Sequence, residues 1–587
     1  MKEQRPPSER RLRFHMRMAM MDKLGHLAAV SVLVGLLSGV VIVAFRLLVE
    51  WAQLSFLDDP ENYEGLSWGW RLLLPILGGL LIGLLFNSVD KKYRTVGIIH
   101  TMERLSYHQA NLPTGNAVMQ FLGAAIAIVF GHSVGREGPA IHLGATSGSR
   151  IGQWLHLPNN SNRTLVACGV AAAIAASFNT PLAGVIFSME VVLMEYTLAG
   201  FIPVILAAVT ATALSQLVFG AAPAFSVPAL QLGSLGELPI VLTTGLVIGC
   251  LAALFIHSLQ FFSRQATDRP LWQRTTLGGL LVGLCAVIIP EVMSLGYDTV
   301  NGAMLGQIGF WLLLAIVAFK ILATTAGLGM GIPGGLIGPT LIIGACAGTA
   351  FGLVAAQLSP GSTSNPALYA MIGMGAMMGA TLQAPLAALI ALLELTANPN
   401  IIMPGMLAIV AANLVSSQLF GKESVFIMLM RARGLDYNED PIAQSLRRIS
   451  IAKAMKQNIT SCPAQLSRQQ ADEILQLQPQ WLLLQPSDKP AYILPGADLA
   501  RHLQSRDYEV IDFDLLPANR RNVIAIDLRA TLQEGLEQLR KQRCDALYVI
   551  DQDSADSQQA LGIVTREDIE EHYHYPVPQH ADNNNPS

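Results

Sequence analysis

Long apolar runs joined by short polar loops occupy the chain from about Leu24 to Phe426. Several approach the ~20 residues that an α-helix needs to cross the hydrocarbon core of a bilayer. Others are shorter, which is typical of tilted or interrupted helices. The runs are Leu27–Leu48, Leu72–Phe86, Phe121–Phe130, Phe201–Leu217, Leu238–Ile256, Leu277–Val287, Phe310–Ala326 and Ile401–Leu414. The pattern predicts an all-α polytopic membrane domain.

The pattern changes after Arg431, and from Ile449 onward no apolar run is long enough to span a membrane. Instead a small unit occurs twice, in which a capping-box sequence predicts the start of a short helix and an apolar strand follows fifteen residues later. The helix starts are Ser467-Arg-Gln-Gln470 and Thr531-Leu-Gln-Glu534, and the strands are Leu482–Gln485 and Ala546–Ile550. A last strand-to-helix step at Gly562–Ile569 completes a predicted C-terminal α+β pair.

These changes divide the chain into five predicted parts. They are an N-terminal segment (1–25), a membrane domain (26–433) with halves at about 26–219 and 238–421, a charged linker (434–449), the α+β pair (450–575) and a tail (576–587). The first apolar run has no small-residue cleavage site after it, so we interpret it as a retained anchor rather than a signal peptide. A cluster of basic residues precedes that run and predicts a cytoplasmic N-terminus; it includes Arg5, Arg10, Arg11, Arg13, Arg17 and Lys23.

Composition supports the membrane interpretation. Of the 587 residues 52% are hydrophobic and only 14% are charged, and the mean hydropathy is +0.43, which excludes an ordinary soluble protein. The net charge of −4 indicates no particular partner and gives no reason to expect nucleic-acid binding. The six cysteines are scattered without a CxxC pair, so the sequence indicates neither a disulfide framework nor a zinc site.

The membrane region contains an internal duplication. Gly135-Arg136-Glu137-Gly138-Pro139 returns in the same frame as Gly335-Leu336-Ile337-Gly338-Pro339. Small residues then continue at matching spacing in both copies, at Gly144 and Gly148 and at Gly344 and Gly348. A second shared block follows each frame, with Glu190 nine residues after Pro181 and Glu394 nine residues after Pro385. Two matched pairs in one order indicate two homologous halves.

Pro139 and Pro339 indicate what each frame does. Proline fits the first turn of a helix, and the glycines before it allow a sharp turn, so each frame predicts a loop that feeds a helix N-terminus. Free N–H groups and about half a positive charge at such an end make an anion site. Interrupted helices at matching positions of two membrane halves place the expected site where the halves meet. The sequence therefore predicts an anion pathway.

Four motifs in order resemble the CLC chloride channel and antiporter family. They are Gly-Arg-Glu-Gly-Pro at 135–139, Phe-Asn-Thr-Pro-Leu-Ala-Gly at 178–184, Gly-Gly-Leu-Ile-Gly-Pro at 334–339 and Glu-Ser-Val-Phe at 423–426. The C-terminal pair resembles two cystathionine-β-synthase-type (CBS) modules, which some CLC proteins carry. The resemblance implies an inverted repeat of tilted and broken helices, and a homodimer with a separate anion pathway in each subunit.

The resemblance also assigns site residues. Glu137 would be the gating glutamate, whose carboxylate competes with chloride for the anion site. Backbone N–H groups around Gly135, Arg136, Gly138 and Pro139, and near Leu336 and Ile337, would line the pathway. In the CBS-like pair Thr565 and Asp568 match a Thr-x-x-Asp pattern that holds a nucleotide ribose, whereas the first copy has Pro495 and Asp498. An adenine nucleotide and a purely structural dimerisation role remain the two alternatives there.

Three positions depart from the family pattern. The usual serine and tyrosine at the chloride site would be Val96 and Phe426, and Val191 stands where exchangers often carry a proton-relaying glutamate. Two hydroxyl groups are therefore missing from the expected site, which leaves halide selectivity open. A valine cannot relay a proton, so the sequence favours a channel, with proton-coupled exchange as the alternative.

Other charged residues in the apolar region have structural explanations. We expect Glu190 and Glu394 to have a structural or vestibule role, and Lys320 to be paired or snorkelling rather than a ligand. His132 and His142 flank the first frame without a third ligand at a suitable spacing, so we interpret them as packing residues and predict no metal site.

The leading hypothesis is chloride transport gated by Glu137 and requiring no cofactor. Its partners would be chloride, the lipid bilayer, a second copy of the chain and, for an exchanger, protons. We expect a bacterial inner membrane location with both termini in the cytoplasm. Another CBS-regulated ion transporter would need clustered acidic residues in the apolar core and ranks below these alternatives. A membrane-embedded enzyme ranks last, because Ser147 has no histidine at a convincing spacing.

Overall fold

The computed structural model describes residues 24–572 except 197, 223–224, 226–231, 266–268, 359–363, 436–439, 487–489, 506–508 and 553–559. The predicted N-terminal segment up to residue 23, the end of the predicted α+β pair (573–575) and the predicted tail (576–587) lie outside the described residues. The described chain forms two compact units. The first contains residues 24–153 and 162–435, and the second contains residues 154–161 and 440–572.

The first half of the membrane unit consists of helices, as predicted. Their bounds are α1 Leu24–Gln53, α2 Trp68–Asn87, α3 Ile98–Tyr107, α4 Thr114–Val129, α5 Glu137–Trp154, α6 Asn159–Phe178, α7 Pro181–Phe187 and α8 Leu198–Phe219. A π-helical segment, Ser188–Leu193, continues α7. Every apolar run predicted in this half lies in one of these helices, except that Phe130 at the end of one run is the C-cap of α4.

The second half repeats the same series. Its helices are α9 Leu238–Gln265, α10 Leu271–Ile288, α11 Tyr297–Met304, α12 Phe310–Gly329, α13 Ile337–Leu358, α14 Pro366–Leu382, α15 Pro385–Thr396 and α16 Ile402–Leu414. A further helix, α17 Val425–Ala432, ends the unit. Nine helices in the described part of the chain are long and apolar enough to cross a membrane. The inverted-repeat architecture predicted from the sequence is confirmed.

Small residues allow the helices to cross closely, and they do so at equivalent places in both halves. A Cβ at Gly144 would lie 2.1 Å from the carbonyl oxygen of Gly169, and a Cβ at Gly344 would lie 2.3 Å from that of Gly373. Any side chain would therefore push α5 from α6 and α13 from α14. Without water in the bilayer core, such backbone-to-backbone packing is a main source of helix association.

The sequence pattern missed some spanning helices. Helix α6 is rich in alanine and did not appear among the apolar runs, yet it is long enough to span and nearly nine tenths buried. Alanine and glycine contribute little hydropathy, so a helix that other helices surround gives a weaker signal than one that faces lipid.

The second unit is α+β, as predicted. Its elements are α18 Pro441–Arg447, α19 Ile451–Ala454, β1 Ile459–Cys462, β2 Gln465–Ser467, α20 Arg468–Gln476, β3 Trp481–Leu484, β4 Tyr492–Pro495, α21 Gly496–Ser505, β5 Val510–Asp512, β6 Arg521–Asp527, α22 Leu532–Gln542, β7 Ala546–Ile550, β8 Ala560–Thr565 and α23 Arg566–Glu570. Both predicted capping boxes are formed, by Ser467 with Gln470 and by Thr531 with Glu534.

One six-stranded sheet carries both copies of the repeated unit. Its strand order is β1-β3-β4-β6-β7-β8. In the first copy β1 and β3 are parallel and β3 and β4 are antiparallel, and in the second copy β6–β7 and β7–β8 repeat this order. The predicted linker contains α18, whose Leu446 is fully buried in the apolar core of the second copy. That stretch is therefore part of the folded unit.

Candidate functional site

The two copies of the glycine-rich frame contact each other directly. The Gly135 N–H donates to the Gly335 carbonyl at 2.8 Å, and the Gly335 N–H donates to the Gly135 carbonyl at 2.7 Å. These bonds form an isolated antiparallel bridge between residues that are 200 apart in the sequence. Helix α5 begins two residues after one glycine, and α13 begins two residues after the other. Both helix N-termini therefore start from one shared contact.

The carboxylate of Glu137 lies on the N-terminus of the opposite helix. Its Oε1 accepts a short hydrogen bond from the Ile337 N–H and a second from the Gly338 N–H at 3.2 Å. The side chain is 1% exposed, and Oε2 has no hydrogen-bond partner among the described residues. A carboxylate here occupies the position that the free N–H groups and the dipole of α13 offer to an anion. The Glu137 Oε1 atom thus occupies the place that these two N–H groups would offer to an anion.

Glycine is required on both sides of this carboxylate. A Cβ at Gly135 would lie 2.0 Å from Glu137 Oε2, and a Cβ at Gly335 would lie 2.2 Å from Oε1. A Cβ at Gly138 would lie 2.6 Å from the Gly334 carbonyl oxygen. The glycines that the sequence repeats are therefore needed for the two backbones and the carboxylate to share this space.

Arg136 and Pro139 have other roles. The Arg136 guanidinium donates to the Ser177 carbonyl at 2.8 Å and lies over the rings of Phe178 and Tyr297, at 5.5 and 5.3 Å from their centroids. Pro139 lies in the first turn of α5, as predicted, but has no N–H to offer an anion. Among the residues that the structure describes, Gly135, Arg136 and Pro139 do not line the cavity next to Glu137.

That cavity has a volume of about 940 Å³ and collects the other predicted site residues from distant parts of the chain. They are Val96, Glu137, Gly138, Leu336, Ile337 and Phe426. The donors to Glu137 are Ile337 and Gly338, one position later than the predicted pair Leu336 and Ile337. Val96 and Phe426 both present apolar side chains to the cavity, so neither supplies a hydroxyl group.

Basic side chains line the same cavity, and the sequence analysis did not predict them as a group. They are Lys91, Arg94, Arg269, Arg274 and Arg433, which we call the basic lining. Glu137 is the only acidic side chain among the described residues that line it. A cleft lined by charges of one sign concentrates counter-ions, so the basic lining favours anions over cations. These five residues lie in three separate stretches of sequence, which is why no local motif marks them.

Asn116 holds the loop that carries Val96. Its Nδ2 donates to the carbonyl groups of Lys92 and Thr95, each at 2.9 Å. One turn later on the same face of α4 lies Gln120, which also lines the cavity. The sequence analysis overlooked both residues. Two amide side chains four positions apart in an otherwise apolar helix are the signal that could have identified them.

The equivalent glutamates Glu190 and Glu394 each cap a short helix in the other half. The two carboxylate oxygens of Glu190 accept from the N–H groups of the second and third residues of α15, at 3.2 and 2.6 Å. Those of Glu394 accept from the N–H groups of the second and third residues of α7, at 2.9 and 2.6 Å. Neither residue lines the cavity in the described part of the chain. Their reciprocal contacts support the expected structural role.

The remaining buried polar residues lie apart from the cavity. Lys320 donates to the carbonyl groups of Val292 and Ser294, at 3.0 and 3.2 Å, and is fully buried, so the snorkelling alternative is wrong. His142 forms a 2.9 Å contact with His100, from Nε2 to Nδ1. His132 is buried, and neither of its ring nitrogens has a partner among the described residues.

In the second unit Thr565 and Asp568 form the capping box of α23. Asp568 Oδ2 accepts from the Thr565 N–H at 2.8 Å and from its hydroxyl group at 2.9 Å, and Lys456 Nζ lies 2.6 Å from Oδ1. Burial alone would raise the pKa of Asp568, but the Lys456 ammonium and the Thr565 hydrogen bonds outweigh it and lower the pKa. Both residues thus have structural partners, and a nucleotide would have to replace or share them.

The comparisons with known proteins cover both units. The profile of the family described as voltage gated chloride channel matches residues 78–417, and the profile of the CBS domain matches residues 514–575. The second match corresponds to the second copy of the α+β unit, whereas the first copy is identified by its capping box and by its sheet pairing.

Two curated relatives and one solved structure illustrate the similarity. A putative chloride channel protein, ClcB-like, from Ralstonia nicotianae is 33% identical over 70% of this chain and 97% of its own length. The H(+)/Cl(-) exchange transporter ClcA from Salmonella arizonae is 28% identical over 68% of this chain and 87% of its own length. The crystal structure of a eukaryotic CLC transporter shares the fold, with a TM-score of 0.60 and 18% identity over 92% of this chain and 97% of that one.

Proposed function

The chain belongs to the CLC family of chloride channels and transporters, and we propose that it moves chloride across a membrane through a pathway gated by Glu137. One observation carries the proposal. The Glu137 carboxylate accepts from the two N–H groups at the start of α13, which are the donors that an anion would need. With the carboxylate in place the site is closed, and its departure frees the same donors for chloride.

The cavity next to Glu137 supports the proposed anion pathway. It extends from Glu137 to the basic lining, so an anion entering it moves along a positive potential toward the closed gate. Because the site is buried, the Glu137 carboxylate and a chloride ion compete for the same N–H groups, and bulk water stabilises neither of them there. Protonation neutralises the carboxylate and removes its advantage at the site. We therefore expect acidification to open the pathway.

We infer channel-type conduction as the first form of this transport. Val191 follows Glu190 at the place where a relay glutamate would be expected, and it is 3% exposed. A buried valine offers no group that binds a proton. Chloride/proton exchange through the same gate is the second candidate, and the similarity to a relative named as an H(+)/Cl(-) exchange transporter favours it.

The wider arrangement follows from the same proposal. We expect a homodimer with one pathway per subunit in a bacterial inner membrane, with both termini in the cytoplasm. For the CBS-like pair we retain both alternatives, an adenine nucleotide held by Thr565 and Asp568 or a structural role in dimerisation. We propose no enzymatic activity.

The test is flux from purified full-length protein in liposomes, with chloride and protons followed separately. We expect chloride efflux in the wild type, and a raised rate without pH dependence in Glu137→Gln, which keeps the shape of the side chain and removes its charge. Glu423→Gln is the matched control, because Glu423 is an exposed acid paired with Arg431. Unchanged flux in Glu137→Gln would refute the gating role.

The same liposomes distinguish the two forms of transport. A chloride gradient should drive no net proton movement if the protein is a channel. Uphill proton movement driven by that gradient, and lost in Glu137→Gln, would overturn the channel and establish exchange. An absence of chloride flux in the wild type would overturn the proposal itself.

A further inference from the structure

We propose that the side-chain amide of Gln120 is a ligand of the transported anion and sets the anion selectivity of the pathway. The inference rests on the proposed function, because it concerns the same cavity. It assigns the side-chain donor that Val96 and Phe426 do not supply.

Gln120 is a buried polar group with no hydrogen-bond partner in the part of the chain that the structure describes. It lies in the middle of α4 and is 0% exposed. Neither Nε2 nor Oε1 has a hydrogen-bond partner among the residues that the structure describes. Leaving a buried amide group unpaired is unfavourable, and buried side-chain amides are normally paired. A glutamine in this position is therefore explained by a hydrogen-bond partner outside the protein, such as an ion that binds and leaves.

The side chain lies beside the expected anion path. Gln120 lines the same cavity as Glu137, Val96 and Phe426. A Cβ built on Gly97 would lie 3.8 Å from Gln120 Oε1, so the amide reaches the backbone next to Val96. The Gln120 amide thus lies next to the Val96 loop. Among the described residues, that loop itself supplies no side-chain hydroxyl or amide group to the cavity.

Asn116 shows that the neighbouring amide has a different role. It is also fully buried, but its Nδ2 is fully engaged with two loop carbonyl groups. The α4 face therefore carries one amide that holds the loop and, a turn later, one that forms no hydrogen bond with any described residue. If Gln120 were simply part of the scaffold, its amide should be hydrogen-bonded in the same way.

The chemistry of an amide suits an anion that must also leave. An N–H donor strengthens anion binding by a hydrogen bond without adding a fixed charge, and transport requires binding that is favourable but not too tight. Carboxamide orientation is adjustable by rotation of the last torsion angle, so Nε2 can turn toward an anion when Glu137 withdraws. Oε1 carries partial negative charge and repels an anion, so the orientation of the amide affects which anions bind.

The first experiment measures chloride binding to the purified full-length protein by isothermal titration calorimetry. Gln120→Met keeps the length of the side chain and removes the donor, and we expect it to weaken binding about tenfold or more, as for loss of a hydrogen bond to an ion. Gln120→Glu adds a negative charge and should abolish measurable binding. Gln53→Met is the matched control, since Gln53 is equally buried but donates to the Tyr63 hydroxyl group at 3.2 Å, away from the cavity.

The second experiment compares bromide, nitrate and fluoride with chloride in liposome flux. We expect the order of anions to change in Gln120→Met and to stay the same in Gln53→Met. Gln120→Asn, which keeps the amide but retracts it, should give an intermediate affinity and provides a folded variant if the methionine variant is unstable.

The outcomes separate this inference from the function on which it rests. Wild-type chloride affinity and anion order in Gln120→Met, or in Gln120→Asn if only that variant folds, would overturn the role of Gln120 alone. A wild-type protein that neither binds nor moves chloride would overturn the proposed function and this inference together.

Discussion

Replacing Gly135 by alanine should remove the pH dependence of chloride flux while the helices stay in place. A Cβ at this position would lie 2.0 Å from Oε2, 2.3 Å from Oε1 and 2.5 Å from Cδ of Glu137. All three atoms belong to the end of one flexible side chain. The carboxylate can therefore leave its site without any shift of the backbone, and we expect it to do so.

The size of the effect follows from the two hydrogen bonds that the carboxylate would lose, from the N–H groups of Ile337 and Gly338. A hydrogen bond to a charged group contributes roughly 1.5–3 kcal/mol. Taking the lower value for each gives about 3 kcal/mol against the closed state. At about 1.4 kcal/mol per factor of ten, the closed population falls on the order of 100-fold relative to the open one.

The assay is the initial rate of chloride efflux from liposomes, measured from neutral to acidic pH. Wild-type flux should rise on acidification, because protonation removes the carboxylate from competition with chloride. Flux through Gly135→Ala should be flat and should match the profile of Glu137→Gln. The pH dependence of the flux is the readout, rather than its absolute rate, because the new methyl group also narrows the anion path.

Gly338→Ala is the matched control. Its Cβ would meet its nearest neighbours at ordinary distances, 3.5 Å to the Gly135 Cα and 3.7 Å to Glu137 Oε2. We expect it to keep the wild-type pH profile. A wild-type profile in Gly135→Ala would refute the inference that Glu137 occupies the N-terminus of α13.

Three further predictions concern other contacts. Glu190→Gln and Glu394→Gln should each lower the free energy of unfolding of the purified protein by a similar amount, about 1–3 kcal/mol, because each carboxylate accepts hydrogen bonds from two N–H groups. A change in proton movement in Glu190→Gln alone would contradict a purely structural role. Arg433→Gln should slow chloride uptake several-fold at low ionic strength and less at high ionic strength, whereas Arg431→Gln, a charge outside the basic lining, should not. Asp568→Asn should accelerate amide hydrogen exchange in α23 of the full-length protein about tenfold at neutral pH, from loss of the cap and of the ion pair. Because the pKa of Asp568 is lowered on folding, its stabilisation is present above the ordinary Asp pKa of about 3.9 and is lost as the pH falls through the lower folded value, so the difference from wild type should disappear in acid. Equal exchange at neutral pH would contradict this.

The sequence predicted most of the fold because its main signals are local or repeated. Apolar runs mark helices that face lipid, since each of them must satisfy its own backbone groups in the bilayer. The duplicated frames identified the two halves, and the prolines located the starts of α5 and α13 to within two residues. Glu137 was assigned its role by the resemblance to the CLC motif, and the cost of placing a carboxylate inside an apolar frame without a function agrees with that assignment.

The candidate site was less predictable because it is assembled from distant positions. The backbone donors proved to be Ile337 and Gly338, since the exact start of a helix depends on its packing and not on the frame alone. The basic lining comes from loops and helix ends that carry no common motif. Gln120 was missed because a single amide in an apolar helix has no meaning until its neighbours, and the lack of a described partner, are known.

The sequence by itself determined that there are two homologous membrane halves, where each half carries an interrupted helix, and which residue carries the acidic group. Only the tertiary structure decided that Gly135 and Gly335 bond to each other, that Glu137 lies across the junction on α13, and that Glu190 and Glu394 cap each other's halves. The physical reason is that helix formation and lipid exposure are properties of neighbouring residues, whereas an anion site made of backbone N–H groups exists only after two chain segments 200 residues apart are packed together.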